Sequence, residues 1–194
     1  MPTELFTTAE AAILAETVPR AVEKAIEDGI VEVHRARASG HARWRRLLSA
    51  ESVYYIAFLR ESHFRFSKEI KRNIWKRFKM TPSNRLRTVE WSLSPGVKIK
   101  PGEVLGPTLE RVNSYSRARH RWIRMDENIK GGTPVIRGTR MSVYSVAGRV
   151  AHGESIDDIQ KDNPDLDREA LEAAVAYAKA NPLVGRPGGR PWQA

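Results

Sequence analysis

The clearest helical period lies near the start of the chain, where Val18, Ala21, Val22, Ala25 and Ile26 fall at i, i+3, i+4, i+7 and i+8 and make one apolar stripe. Pro19 suits the first turn of that helix, and Gly29 closes it. Just ahead, Thr7-Thr8-Ala9-Glu10 reads as a capping box, in which a hydroxyl and a carboxylate satisfy free backbone N–H groups at a helix start. Ala9, Ala12 and Ile13 then face one way, and the turn Thr17-Val18-Pro19 ends this first helix near Ala15. Two short helices with a tight turn between them form a helix-turn-helix arrangement, whose second helix can lie in a DNA major groove. Ile30-Val31-Glu32-Val33 and Ala42-Arg43-Trp44-Arg45 follow as two predicted strands joined by Ala38-Ser39-Gly40, a hairpin rich in arginine. Residues 49–59 and 67–80 predict two more helices. The second carries Ile70, Ile74 and Phe78 on one face, with Lys68, Lys71, Arg72, Lys76, Arg77 and Lys79 around it.

Thr81-Pro82-Ser83-Asn84 marks a boundary, after which Val89, Trp91 and Leu93, then Val97 and Ile99, alternate as two short strands about the turn Ser94-Pro95-Gly96. Leu109 and Val112 predict a helix over 107–119. Pro101-Gly102 and Gly106-Pro107 give residues 81–120 the character of a connector rather than a core. Further on, Gly131-Gly132 and Gly138 bracket the apolar pair Val135-Ile136, which is expected to pair back onto Trp122-Ile123. Three helices should follow. Val143, Val146, Ala147 and Val150 line the first, which Gly153 ends; Ser155-Ile156-Asp157-Asp158 caps the second, which Asn163-Pro164 stops; Asp167 caps the third, with Leu171, Ala174, Val175 and Ala178 as its stripe. These narrow, alanine-rich stripes bury little by themselves, so dimerisation through this half is expected. Pro182, Pro187 and Pro191 with three glycines predict an extended tail over 182–194. The pattern describes a mainly α chain with short β hairpins, in four parts: 1–80, 81–120, 121–181 and 182–194.

Charge separates the parts. Residues 1–120 hold 22 basic and 13 acidic side chains and residues 121–194 hold 11 and 10, within a net charge of +10. The basic part suits a polyanion, whose affinity arises from released counterions, although a solvated basic surface has the same composition. The absence of cysteine excludes disulfides, thiolate zinc sites and thiol catalysis, and fits a reducing compartment. No apolar run approaches the roughly 18 residues of a membrane span, and the first twenty residues carry Glu4, Glu10 and Glu16. A soluble, cytoplasmic protein without a signal peptide is expected.

The catalytic readings are weak. No lysine follows Gly138 as a P-loop requires, and His152-Gly153-Glu154 lacks the cysteines of a zinc deaminase. His34, His41, His63 and His120 have no ligand spacing. Asp157, Asp158, Asp162, Asp165 and Asp167 read as caps and turn residues rather than metal ligands, with Arg137 and Arg140 as their partners. No enzyme, cofactor or metal is expected.

The stretch Ile129-Lys130-Gly131-Gly132-Thr133-Pro134-Val135-Ile136-Arg137-Gly138-Thr139-Arg140, with the helices after it, resembles the short domain that ends one branch of the VapB-type antitoxins. The similarity runs from about Ile123 to Ala178, and Gly131, Gly132, Pro134, Gly138, Thr139 and Arg140 carry the motif. The order helix, turn, helix, basic hairpin resembles the MerR-type winged helix-turn-helix that opens the same antitoxins. The resemblance implies a winged helix-turn-helix joined to a small three-helix domain. Arg20 and Lys24 would lie on the groove side of the second helix, with Arg35, Arg37, Arg43 and Arg45 reaching phosphates or a minor groove. It also implies an operator duplex, a homodimer, and a PIN-domain ribonuclease toxin with an acidic, magnesium-holding pocket. The tail, with Arg186 and Arg190 beside Leu183 and Trp192, suits that pocket, because guanidinium forks match carboxylates; a tail with incidental charge reads the same way. A stand-alone MerR-like regulator without a toxin is the alternative function.

Overall fold

The computed structural model describes residues 4–37 and 44–183, with the backbone alone at 36, 37, 44 and 45. The chain opens on a strand that the sequence pattern did not announce, β1 (Leu5–Thr7), followed by α1 (Thr8–Leu14) and α2 (Pro19–Glu27). The capping box forms: Glu10 N–H donates to Thr7 Oγ1 at 3.2 Å and Thr7 N–H to Glu10 Oε2 at 2.7 Å. Two antiparallel strands follow, β2 (His34–Arg37) and β3 (Trp44–Ser49), and the sheet order is β1-β3-β2.

Both strands begin later than the periodicity predicts. Ile30 and Val31 are adjacent and both buried, which a strand with one wet face does not allow, because its successive side chains point to opposite sides. As loop residues both turn inward. Val18 also departs from its predicted place: it is 64% exposed. Its extended backbone (φ −86°, ψ 148°) precedes the first helical turn, and the buried residue of α2 is Val22.

Ser49 and Ser67 accept backbone N–H groups at the starts of α3 (Ala50–Glu61) and α4 (Lys68–Met80). Every residue from 52 to 58 is buried, so α3 is the central helix of the amino-terminal core. Tyr55, Trp75, Phe78 and Trp91 fill that core edge to face, with ring centroids 4.8 Å apart for Phe78 and Trp91. Trp91 comes from the hairpin β4 (Trp91–Ser94) and β5 (Val97–Ile99).

The middle stretch is more than a connector. A single helix, α5 (Pro101–Trp122), runs from this hairpin to the carboxyl-terminal module and places Leu105, Leu109 and Val112 in the amino-terminal core. The helix exceeds the expected 107–119 at both ends, because Pro101-Gly102 and Gly106-Pro107, which read as connector residues, lie inside it. At the first helical position a proline needs no N–H partner, and Pro107 is tolerated inside. Gly102 is required by close approach: a Cβ there would lie 2.7 Å from the Arg87 carbonyl carbon and closer still to its oxygen, all backbone atoms. Gly102→Ala is therefore expected to cost about 1–3 kcal/mol, read as a lower urea midpoint with an unchanged m value; an unchanged midpoint would show that the Arg87 backbone yields freely.

Beyond α5, β6 (Ile123–Arg124) pairs with β7 (Val135–Ile136), with Ile123 opposite Ile136. Three helices follow: α6 (Val143–Ala151), α7 (Ile156–Asp162) and α8 (Arg168–Ala180), capped by Ser142, Ser155 and Asp167. Ile123, Ile136, Val143, Val146, Ile159, Leu171 and Ala174 form the second core, and α8 packs on α5. The described residues are mainly helical with small antiparallel sheets, and none of their helices is long and apolar enough to cross a membrane.

Candidate nucleic-acid interface and a buried polar joint

Arg20 and Lys24 are exposed one turn apart on α2, and no carboxylate pairs with either among the described residues. Arg35 is also exposed on β2 and stands directly opposite Arg46 on β3. Directly opposed residues of an antiparallel pair share a face, and Arg46 reaches Glu23 of α2 at 2.8 Å. Arg35 therefore emerges on the face turned towards α2, and the pair Arg46–Glu23 removes one of the acids that would oppose an anion there. Glu27 and Asp28 remain exposed at the far end of the helix. Ala36 pairs with Arg45 and Arg37 with Trp44, which places the backbones of Arg37 and Arg45 on the same hairpin; Arg43 lies outside the described residues.

Five of the six cations of α4 divide into two groups. Lys79 pairs with Glu32, and Arg77 donates to the Ser92 carbonyl at 2.5 Å. Lys68, Arg72 and Lys76, four residues apart, are exposed and have no acidic partner among the described residues. The Lys79–Glu32 pair ties this basic edge to the segment that leads into β2.

In the carboxyl-terminal module the glycine motif is structural. Gly131, Gly132 and Gly138 have φ of 61°, 81° and 81°, the left-handed region that a β-carbon penalises. Thr139 Oγ1 donates to the Ile136 carbonyl at 2.9 Å and accepts from Met141 N–H at 3.0 Å, while the Pro134 carbonyl accepts from Val143 N–H at 3.0 Å. Valine at Gly138 is expected to lower stability by about 1 kcal/mol or more, seen as a lower thermal midpoint of the full chain; an unchanged midpoint would leave the turn without a structural need for glycine.

The expected pairing of Arg137 and Arg140 with the aspartates is not what forms. Arg137 caps the end of α5, donating to the carbonyls of Arg121 at 3.0 Å and His120 at 2.9 Å. Arg140 is exposed. Three of the five aspartates are taken by nearer cations: Asp162 by Arg149, which also holds Glu154, Asp157 by Arg168, and Asp158 by Lys161. Hydrogen bonds from Ser155 and Lys161 hold the Asp158 carboxyl below the usual range. Of the tail residues, Leu183 is exposed, and Arg186, Arg190 and Trp192 lie outside the described residues.

A buried polar joint between β1, α1 and α5 has no signature in the periodicity. Glu10, 2% exposed, accepts from Tyr115 OH at 2.6 Å and from Arg119 Nη1 at 3.0 Å, besides Thr7 N–H. Arg119 Nη2 also donates to Glu4 and to the Leu5 carbonyl, both at 3.0 Å, and its guanidinium lies 5.1 Å from the Phe6 ring centre. Burial disfavours the Arg119 charge, but Glu10 and Glu4 outweigh it and raise its pKa. Burial and the Glu10 carboxylate push the Tyr115 phenol far up. Thr7 Oγ1 donates to Asn181 Oδ1 at 3.2 Å, and the Asn181 carbonyl accepts from Tyr144 OH at 2.9 Å. Here β1, α1, α5, α6 and the end of α8 meet. Only the spacing of Tyr115 and Arg119 on one helical face hints at it, since their partners lie about a hundred residues away.

Known proteins place the chain as follows. The family model described as a protein of unknown function (DUF433) matches residues 123–178, the stretch from β6 through most of α8. No solved structure matches. The uncharacterized protein y4eO of Sinorhizobium fredii is 31% identical over 192 residues, covering 94% of this chain and 84% of that protein. With both chains aligned over most of their lengths, this protein belongs to the same family as y4eO, and its carboxyl-terminal module is similar to the DUF433 family model.

Proposed function

We propose that residues 4–49 form a winged helix-turn-helix that binds operator DNA, and that the chain is the antitoxin of a toxin–antitoxin pair whose toxin is a PIN-domain ribonuclease. The observation that carries the DNA reading is the surface shared by Arg20, Lys24 and Arg35, unpaired beside an α2 whose Glu23 is already neutralised by Arg46. The antitoxin reading rests on the likeness of residues 129–140 to the antitoxin motif. The carboxyl-terminal half dimerises and holds the toxin, with Leu183, Arg186, Arg190 and Trp192 of the tail as its contacts.

Each neutralised phosphate adds roughly 0.9 to the slope of log K against log salt, so alanine at Arg20, Lys24 and Arg35 together should flatten that slope by about 2.7. Fluorescence anisotropy of a labelled duplex at several salt concentrations measures it, and an unchanged slope would move DNA contact off this surface. The toxin reading is tested by co-purification with the product of the adjacent reading frame. DNA binding with no nuclease attached identifies the stand-alone regulator instead. A tail truncation belongs after Pro182, because Asn181 is buried and tied to Tyr177, Tyr144 and Thr7. The shortened chain should keep its fold and its DNA affinity while inhibiting the nuclease less, and Arg186→Ala or Arg190→Ala should reproduce part of that loss. Equal inhibition by the shortened chain would assign the toxin contact to the helices.

A further inference from the structure

We infer that Val18 is a base-reading residue, packing against the 5-methyl group of a thymine in the major groove; the inference rests on the DNA-binding reading of residues 4–49. Val18 is the N-cap of α2 and is 64% exposed. That is more than any other large apolar side chain described in the first 49 residues; Ile13 follows at 42%.

The position is also an unusual place for valine. Of the eight described helices, six start on a Thr, Ser or Asp whose side chain accepts a backbone N–H: Thr7, Ser49, Ser67, Ser142, Ser155 and Asp167. Valine is among the poorest N-caps, since it offers no acceptor, and no side-chain hydrogen bond closes the start of α2. Neither burial nor capping accounts for the side chain, so its chemistry is free for a partner. The partner's charge is indicated by its neighbours, because the unpaired Arg20 and Lys24 follow on the same helix and Arg35 faces it from β2. In a helix-turn-helix the leading residues of the second helix meet base edges. The apolar feature on a base edge is the thymine methyl, which the major groove alone displays.

The test uses the full chain and a duplex selected by it from a randomised pool, remade with deoxyuridine replacing one thymidine at a time. Removing one methyl from an apolar contact should weaken wild-type binding about fourfold at one position per half-site. In Val18→Ser both valine methyls are lost while an N-cap acceptor is gained, so that variant should melt at a higher temperature than wild type and bind the thymidine and deoxyuridine duplexes equally. The higher midpoint shows that the loss of discrimination is not a loss of fold. If wild type binds the duplex and no single deoxyuridine weakens it more than it weakens Val18→Ser, Val18 reads no methyl, and the DNA-binding reading stands without it. If no duplex is selected, both readings fall together.

Discussion

Arg119→Ala is expected to lower the free energy of unfolding by about 3–5 kcal/mol, the cost of leaving a buried carboxylate without its counter-charge. Glu10 is 2% exposed and cannot turn to water. Without Arg119 it keeps only Thr7 N–H and Tyr115 OH, neither of which carries charge. The same change leaves Glu4 with His120, at 3.3 Å, in place of two partners, frees the Leu5 carbonyl and removes the cation from the Phe6 ring. Against a total stability of about 5–15 kcal/mol, such a loss shows directly in urea denaturation. Arg119→Lys keeps the charge but has no planar fork to span Glu10, Glu4 and the Leu5 carbonyl, so an intermediate loss is expected. Replacing both partners by apolar residues of similar size, Glu10→Leu with Arg119→Met, should cost less than the two single changes added, because neither charge is then left buried alone. A loss below about 1 kcal/mol in Arg119→Ala would place the pair among surface bridges of little worth. The joint also ties the start of α1 to the end of α8 through Thr7 and Asn181; under the DNA-binding proposal, loosening it should weaken duplex affinity although no member of it belongs to the basic surface.

The local chemistry of this fold was written in the chain, and its long-range chemistry was not. The capping box at Thr7 and Glu10, the serine and aspartate caps, the left-handed glycines and the pairing of Ile123 with Ile136 all depend on residues a few positions apart or on one turn, and spacing reveals them. The strand β1 is three residues long and exists because β3 offers an edge; nothing in Leu5-Phe6-Thr7 alone demands it. Val18 fitted the apolar period and still lies outside the core, since the period continues through the N-cap and the helix does not. Arg137 looked like an ion-pair partner, but it sits where the last carbonyls of α5 need donors. Glu10 had a complete explanation as a capping residue, and that local role concealed its second one, as the buried partner of Arg119.

The tyrosines give the second large effect, a steep loss of stability in alkali. Tyr54 and Tyr55 are 1% and 0% exposed, and burial pushes the Tyr54 phenol up to about 12 and that of Tyr55 further. Tyr115, with its hydroxyl on the Glu10 carboxylate, is raised furthest, by burial first and by that charge second. An unfolded tyrosine ionises near 10. Above that pH the unfolded chain sheds these protons while the folded chain keeps them, so the unfolded state is the one favoured by rising pH. Stability is therefore complete below about pH 10 and lost as the pH climbs towards the folded values. Each tyrosine contributes about 1.4 kcal/mol per pH unit in that window, and the three together about 4 kcal/mol per unit until Tyr54 itself begins to ionise. Urea unfolding at pH 9, 10 and 11 measures the slope. Phenolate absorbance, followed beside far-ultraviolet circular dichroism, should show these groups ionising only as the helices melt. Tyr115→Phe keeps the ring and removes one titrating group, so its slope should be about a third smaller, at the expense of one hydrogen bond to Glu10. More than two of the five tyrosines ionising near pH 10 with the helical signal intact would mean that at least one of these three hydroxyls reaches water in the folded chain, and the aromatic core around α3 would then have to be more open than its packing indicates.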